Sequence, residues 1–297
     1  MTMSKTETKE KMPWIYAVGK TILGPIFKAY YRPTIIGIEN IPKEGNCIIA
    51  GDHIHLYDQC HAIVSTKRPL VYMAKKEYFD NKKTAWFFKG VGCIPVNRAV
   101  KDEEAVESAL NCLNNGGALG IFPEGTRNHA KDEKIKEIYD KYLMNMHYDE
   151  VRDALRDKNV KLSQVNFLLK LYDEERITKA EMNKAILHVD ATLRLLRDAK
   201  KITDDEYYES LLLPFKFGTV SMAKKTNSPI IPMVTTGKYE HHSEDLIVQF
   251  GEPYVVGNKD LAVANEELRK IFIDLIKNSE HILEEKKINK ELEEEMK

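Results

Sequence analysis

The chain has 297 residues, 43% of them hydrophobic and 31% charged, with 45 Lys and Arg against 46 Asp and Glu for a formal net charge of −1. That length and mix describe an ordered protein with one principal core, and the charge balance excludes wholesale binding to nucleic acid. Its four cysteines, Cys47, Cys60, Cys93 and Cys112, are widely spaced with no C-x-x-C pair, which points to a reducing compartment rather than a disulfide framework.

Residues 1–32 form the first unit. No signal-peptide cleavage pattern is visible, and the most apolar stretch, residues 13–31, is broken by Lys20 and Lys28, so a membrane span is not expected. Trp14, Ile15, Val18, Ile22, Leu23, Ile26, Phe27 and Tyr30 recur every three or four positions and form one apolar stripe on a helix, which Pro25 is predicted to kink or split into a pair. Six Lys and Arg against two Glu give these 32 residues a surplus of +4. Aromatic plus basic composition suits a lipid headgroup interface, although a helix packed on its own domain shows the same stripe.

Beyond it, residues 34–38, 47–50, 70–74, 118–122 and 230–234 are predicted as buried strands. Helical patterns separate them, among them 103–114, where Ala105, Val106, Ala109, Leu110 and Leu113 share one face before Gly116 and Gly117 end the helix. The alternation predicts an α/β fold built on a central mixed sheet flanked by helices.

Directly after the second strand comes Gly-Asp-His-Ile-His-Leu-Tyr-Asp, residues 51–58. On a continuous helix, residues five apart point about 140° from one another, so His53 and Asp58 can touch only if His53 precedes a helix that Asp58 opens. In contact, Asp58 would hold the proton of one ring nitrogen while the other accepts a proton from an attacking hydroxyl. The spacing alone is a weak signal in a chain with nine histidines. A rival reading groups His55 and His61 with Asp58 at a metal, but no further ligands are identifiable.

Residues 90–98, Gly-Val-Gly-Cys-Ile-Pro-Val-Asn-Arg, place two glycines before a short β run and end in the donors Asn97 and Arg98. Residues 121–128, Ile-Phe-Pro-Glu-Gly-Thr-Arg-Asn, run from a strand into a glycine turn whose amides, with the Arg127 fork, compose an anion site. Glu124 would repel phosphate directly; it is read as orienting Arg127, binding a glycerol hydroxyl or shaping the turn. An ordinary tight turn has the same Pro-Glu-Gly-Thr composition.

From 129 to 211 the pattern becomes charged, helix-favouring and free of proline and glycine, and reads as an all-helical insertion. Residues 168–181 resemble the register that begins at Leu193, with Ile202-Thr203 following Ile177-Thr178 by 25 residues and Glu206 following Glu181 by 25; a weaker third copy spans 155–166. Thr178/Glu181 and Thr203/Glu206 have capping-box spacing, so each copy is read as helix, turn and new helix, burying its apolar face only against its neighbours. The proline-bracketed run at 228–234 reads as core, and the helix from Glu266 as passing into a charged tail, 281–297, solvated at its end.

Taken in order, His53-x4-Asp58, Gly92-x2-Pro95-Val96-x-Arg98, Phe122-Pro-Glu-Gly-Thr-Arg127 and Pro229-Ile-Ile-Pro232 resemble the signature of the glycerolipid acyltransferases, over roughly residues 30–128 and 212–256. The resemblance implies a single acyltransferase domain, 33–128 and 212–280, interrupted at 129–211. It implies a catalytic dyad of His53 and Asp58, acceptor binding by Arg98, Glu124, Gly125, Thr126 and Arg127, and no metal or organic cofactor. The implied reaction moves a fatty acyl group from acyl-CoA or acyl-acyl-carrier protein to the sn-2 hydroxyl of lysophosphatidate; the alternatives are an acyltransferase for another lysophospholipid or glycerol 3-phosphate, and a catalytically silent lipid-binding scaffold. Peripheral attachment to the cytoplasmic face of the cell membrane goes with it. Asp52 and His55 stand where the family usually has Asn and Ser, and Leu-Pro-Phe-Lys-x-Gly, usually close behind the Glu-Gly-Thr-Arg block, comes only at 213–218, after the insertion.

Overall fold

A computed structural model describes residues 12–100, 102–157, 159–242 and 245–295; the start of the predicted interfacial unit, residues 1–11, and the tail's last two residues lie outside the described residues. The first element is α1, Trp14–Tyr31, a single helix with Pro25 inside it. The expected pair of helices is therefore corrected. Pro25 removes one amide donor from the helical ladder, but its fixed φ is helical, and packing against two neighbouring helices outweighs that local loss. Arg32, at φ 45°, ends the helix with its N–H on the Lys28 carbonyl at 2.8 Å.

Strands and helices then alternate. They are β1 (Thr34–Ile36), β2 (Cys47–Gly51), α2 (Asp58–Ser65), β3 (Leu70–Lys75), α3 (Glu77–Asp80), α4 (Lys82–Gly90), β4 (Ile94–Val96), α5 (Glu103–Asn114) and β5 (Ala118–Ile121). The intervening helices are α6 (Asp132–Ile138), α7 (Tyr148–Arg156), α8 (Leu162–Asp173), α9 (Lys179–Ala185), α10 (Val189–Asp198) and α11 (Asp204–Glu209). The chain then continues through α12 (Gly218–Thr226), β6 (Ile230–Thr236), β7 (Ile247–Phe250) and α13 (Leu261–Glu295).

Among the described residues the strands form one seven-stranded sheet in the order β1-β7-β6-β2-β5-β3-β4. Neighbours are parallel except β6 and β7, so the sheet is mixed as expected. β2 lies at its centre, with Ile48 opposite Leu119 of β5 and Ile230 of β6. Successive side chains of a strand face opposite ways, and both faces here are covered. Ile48, Ala50, Leu119, Ile230 and Val234 enter the larger core, whereas Cys47, Ile49, Ala118, Ile231 and Met233 enter a thinner one shared with Ala62 of α2. The short strand β7 was not among the predicted strands.

The segment 129–211 is helical throughout its regular elements, with a π-helical turn at Tyr139–Leu143. Its duplication is real in three dimensions. Glu175 and Lys200, 25 residues apart, both take φ 57°, and each turn returns an N–H to a helix carbonyl, Arg176 to Leu171 and Lys201 to Leu196. Both capping boxes form. The copies also clasp one another reciprocally, with Arg176 on Glu206 at 2.5 Å and Lys201 on Glu181 at 3.0 Å. The third copy has the helix-turn-helix outline, but Lys161 at its second helix start makes no side-chain cap. One expectation is corrected. These helices do not bury their faces only against each other: Leu155, Leu168, Leu171, Leu193 and Tyr207 belong to the core that holds Leu119 of the sheet and Phe272 of α13.

Candidate active site

The carboxyl ends of β6, β2 and β5 lie side by side, and the chain leaving β2 crosses beyond β5 to reach β3. Open α/β sheets bind ligands at such ends. His53 follows the end of β2 by two residues, and its ring stacks on Phe122, past the end of β5, at 3.9 Å between centroids and 12° between planes. Gly51 permits this closeness, because a Cβ there would lie 3.2 Å from Phe122 and 2.9 Å from Met233.

Asp58 opens α2, so His53 precedes the helix and the pair meets as its spacing requires. The Nδ1–H of His53 donates to Asp58 Oδ2 at 2.9 Å, with the tautomer assigned from its acceptor. The same oxygen accepts the His55 backbone N–H at 2.7 Å, and Oδ1 accepts the Tyr239 hydroxyl at 2.6 Å. Asp58 is fully buried, and a carboxylate survives such burial only when donors surround it. Three donors do. Among the described residues Nε2 of His53 has no hydrogen-bond partner, and the side chain keeps 16% exposure, so this nitrogen is available to accept a proton. Tyr239 is a site residue that sequence reasoning missed; it lies 181 residues from Asp58, in the loop after β6, within no motif.

Glu124 corrects an expectation. Its side chain is buried, and its oxygens accept backbone N–H groups of His53 at 2.9 Å and Leu213 at 2.8 Å. It shapes the turn and clamps the His53 backbone rather than facing an acceptor. Lys216 N–H completes the join on the Pro123 carbonyl at 2.9 Å, so the 213–218 block returns to the Glu-Gly-Thr-Arg turn despite the intervening helices.

Burial pushes the Glu124 carboxyl up from its ordinary 4.5 to about 7, against its two backbone hydrogen bonds and the charges of Lys161 and Arg269. Between those two pH values the folded chain holds a proton that the unfolded chain has released, so the Glu124 contribution to stability falls as pH rises from about 4.5 to about 7 and is flat above. The whole step is on the order of 3 kcal/mol. Denaturant unfolding of the wild type and Glu124→Gln across pH 4.5–8 is expected to show a steeper decline in the wild type; parallel profiles would reject the assignment.

Asp52 stands at the first departure from the family pattern. Its Oδ1 accepts the Thr235 N–H at 3.0 Å, whereas the buried Oδ2 has no hydrogen-bond partner among the described residues. Burial, then the charge of Asp58, raises its pKa well above the ordinary range. The ring of His55, at the second departure, stacks on Tyr239 at 4.1 Å.

Gly125 takes φ +71°, with its N–H on the Phe122 carbonyl at 2.9 Å, the left-handed conformation that favours glycine. Thr126 and Arg127 follow it onto the surface, and Arg98 is exposed just past β4. The Asn97 N–H donates to Asp102, the N-cap of α5, at 2.7 Å, which fixes the loop that bears Arg98. The structure thus ties His53, Asp58 and Glu124 together by hydrogen bonds. Arg98, Thr126 and Arg127 make none with them among the described residues. They stand at the same carboxyl edge, β4 lying three strand positions from β2, or about 14 Å.

His61, weighed with His55 and Asp58 as a ligand, is fully buried against the rings of Phe27 and Tyr239, and burial holds its imidazole down at about 4. No three His, Cys, Asp or Glu side chains among the described residues are grouped to hold a metal ion. A cavity of about 610 Å³ adjoins the dyad, lined by His55 and Tyr239 together with Lys161 and Gln164 of the 129–211 segment and Glu280 of α13.

Residues 32–236 match the family profile described as Acyltransferase, a span that contains His53, Asp58, Arg98 and the 124–127 turn and stops just short of Tyr239. The chain belongs to the Acyltransferase family. Within it, the chain is similar to proteins named 1-acyl-sn-glycerol-3-phosphate acyltransferase. The relative from Borreliella burgdorferi is 36% identical over 103 residues, 34% of this chain and 41% of that protein. Those from Bacillus subtilis and Streptococcus pneumoniae are 34% and 29% identical, over 33% and 44% of this chain and 49% and 50% of their own lengths. The chain therefore spans half or less of these relatives. The crystal structure of the 1-acyl-sn-glycerophosphate (LPA) acyltransferase PlsC from Thermotoga maritima aligns with a TM-score of 0.46 at 18% identity, over 91% of this chain and 82% of that one.

Proposed function

We propose that this acyltransferase moves a fatty acyl group from a carrier thioester, acyl-CoA or acyl-acyl-carrier protein, to the sn-2 hydroxyl of lysophosphatidate. The observation that supports it most is the His53–Asp58 hydrogen bond, with Nε2 left open beside an edge that bears two exposed arginines. The relatives' names supply the acceptor.

In this reading Arg98 and Arg127 hold the acceptor phosphate, with Gly125 and Thr126 at the same turn. The hydroxyl gives its proton to His53 Nε2 as its oxygen bonds to the thioester carbonyl carbon, and Asp58 stabilises the imidazolium. The tetrahedral oxyanion collapses, the C–S bond breaks, and the proton passes from Nε2 to the leaving thiolate. The product is phosphatidate. No step calls on a metal or an organic cofactor.

Each methylene of an acyl chain favours an apolar medium by about 0.8 kcal/mol, so the substrates stay in a bilayer and the enzyme has to meet them at its surface. No helix among the described residues is long and apolar enough to cross a membrane. α1 instead exposes Trp14 (72%), Ile22, Leu23 and Ile26, and α4, which it contacts, exposes Trp86 (62%) and Phe87. Exposed apolar side chains on two touching helices, with the exposed Lys28 on α1 and Arg32 at its end, are the chemistry of a peripheral attachment surface, and a cytoplasmic face suits the thioester donors.

The test is transfer of labelled acyl groups to lysophosphatidate in anionic vesicles, with acyl-CoA and acyl-carrier protein offered separately. Formation of phosphatidate is expected, together with weaker vesicle binding by Trp14→Ala/Trp86→Ala. Absence of product from either donor, with folded and vesicle-bound protein, rejects the assigned acceptor.

A further inference from the structure

The hydrogen bonds around His53 do not stop at the dyad. Its backbone N–H is held by Glu124, and its backbone carbonyl accepts the N–H of Asn128 at 2.7 Å. Asn128 is 2% exposed, and each of its polar groups is in use. Its Oδ1 accepts the Ser163 N–H at 2.9 Å, while its Nδ2 donates to Ser163 Oγ at 2.8 Å and to the Leu211 carbonyl at 2.9 Å. Its own carbonyl faces the Leu162 N–H at 3.4 Å. One residue thus joins the base of the dyad to the start of α8 and to the far end of the inserted helices.

A second tie runs in parallel, since Glu124 links the His53 N–H to Leu213. Lys161, immediately before the pinned Leu162, lines the cavity together with His55 and Tyr239. Its charge also acts on Asp52 and Glu124, the buried carboxyls beside the dyad. A surface appendage would need none of these bonds.

We propose that Asn128 is a positioning residue for His53, and that through it the inserted helices are a working part of the active site: they set where the imidazole stands relative to the acceptor. The inference rests on the dyad reading above. It adds that a segment interrupting the family's motifs is coupled to the chemistry.

A misplacement on the order of 1 Å at a reacting group costs about 100-fold in rate. Asn128→Ala is therefore expected to lower kcat about 10- to 100-fold with the acceptor KM changed less than about threefold. Ser163→Ala, a milder change that removes only one acceptor of Nδ2, is expected to lower kcat several-fold. In the double variant the two effects should not multiply, because they act through one bond system.

The second readout is the proton resonance of His53 Nδ1–H in the full-length protein, which should shift in both variants without reference to any substrate. That arm decides the inference even if lysophosphatidate is not the acceptor, and Ser163→Ala decides it if Asn128→Ala does not fold. Variants that lose stability but keep the wild-type kcat and an unmoved His53 resonance would overturn it, leaving Asn128 as a packing residue.

Discussion

Replacing His53 with alanine is expected to lower kcat for acyl transfer by about 10³-fold while leaving the KM of the phosphate-bearing acceptor nearly unchanged. The proposed base acts only as the hydroxyl proton leaves, so its removal withdraws an interaction of the transition state. The fold should tolerate the change, because the ring is partly exposed and Asp58 keeps the His55 N–H and the Tyr239 hydroxyl as donors. Arg127→Ala is the contrasting variant. It removes a fixed cationic fork that would hold ground state and transition state alike, so KM should rise about tenfold or more with a smaller change in kcat. Steady-state kinetics on lysophosphatidate vesicles separate the two. A His53→Ala enzyme with wild-type kcat would remove the dyad from the mechanism.

Replacing Leu168 with alanine is expected to destabilise the whole protein by about 2–5 kcal/mol, in a single unfolding transition. Leu168 is fully buried in α8, in a core that also contains Leu119 of β5 and Phe272 of α13. A cavity opened there withdraws contacts from the sheet side as well as from the helices, so the sheet cannot keep its stability while α8 melts. Denaturant titrations followed by far-UV circular dichroism and by Trp14 and Trp86 fluorescence should shift together. A separate early transition, with the remainder unmoved, would mean that the helices of residues 129–211 form their own cooperative unit.

The departures from expectation share a cause. Pro25 has the local signature of a break, yet α1, packed against α2 and α4, runs through it. β7 is four residues long and too short for a periodicity to stand out; its identity comes from pairing antiparallel to β6 and parallel to β1. Glu124 has the composition of a ligand beside Arg127, yet the fold surrounds it with two backbone donors, and a buried carboxyl takes the donors it finds.

What the sequence by itself determined is what a few neighbouring residues decide. Continuous apolar runs build β2 and β6, the Thr-x-x-Glu boxes start α9 and α11, and five-residue spacing allows His53 to meet Asp58 once a helix begins at Asp58. These follow from backbone periodicity and from caps formed within one turn. Only the tertiary structure decided that Tyr239 is the third donor to Asp58, that Asn128 ties His53 to Ser163 and Leu211, and that the helices of residues 129–211 share the sheet's core. Those contacts join residues 35 to 181 positions apart. They depend on which strands lie side by side and on which buried polar groups need partners, and no local pattern records either.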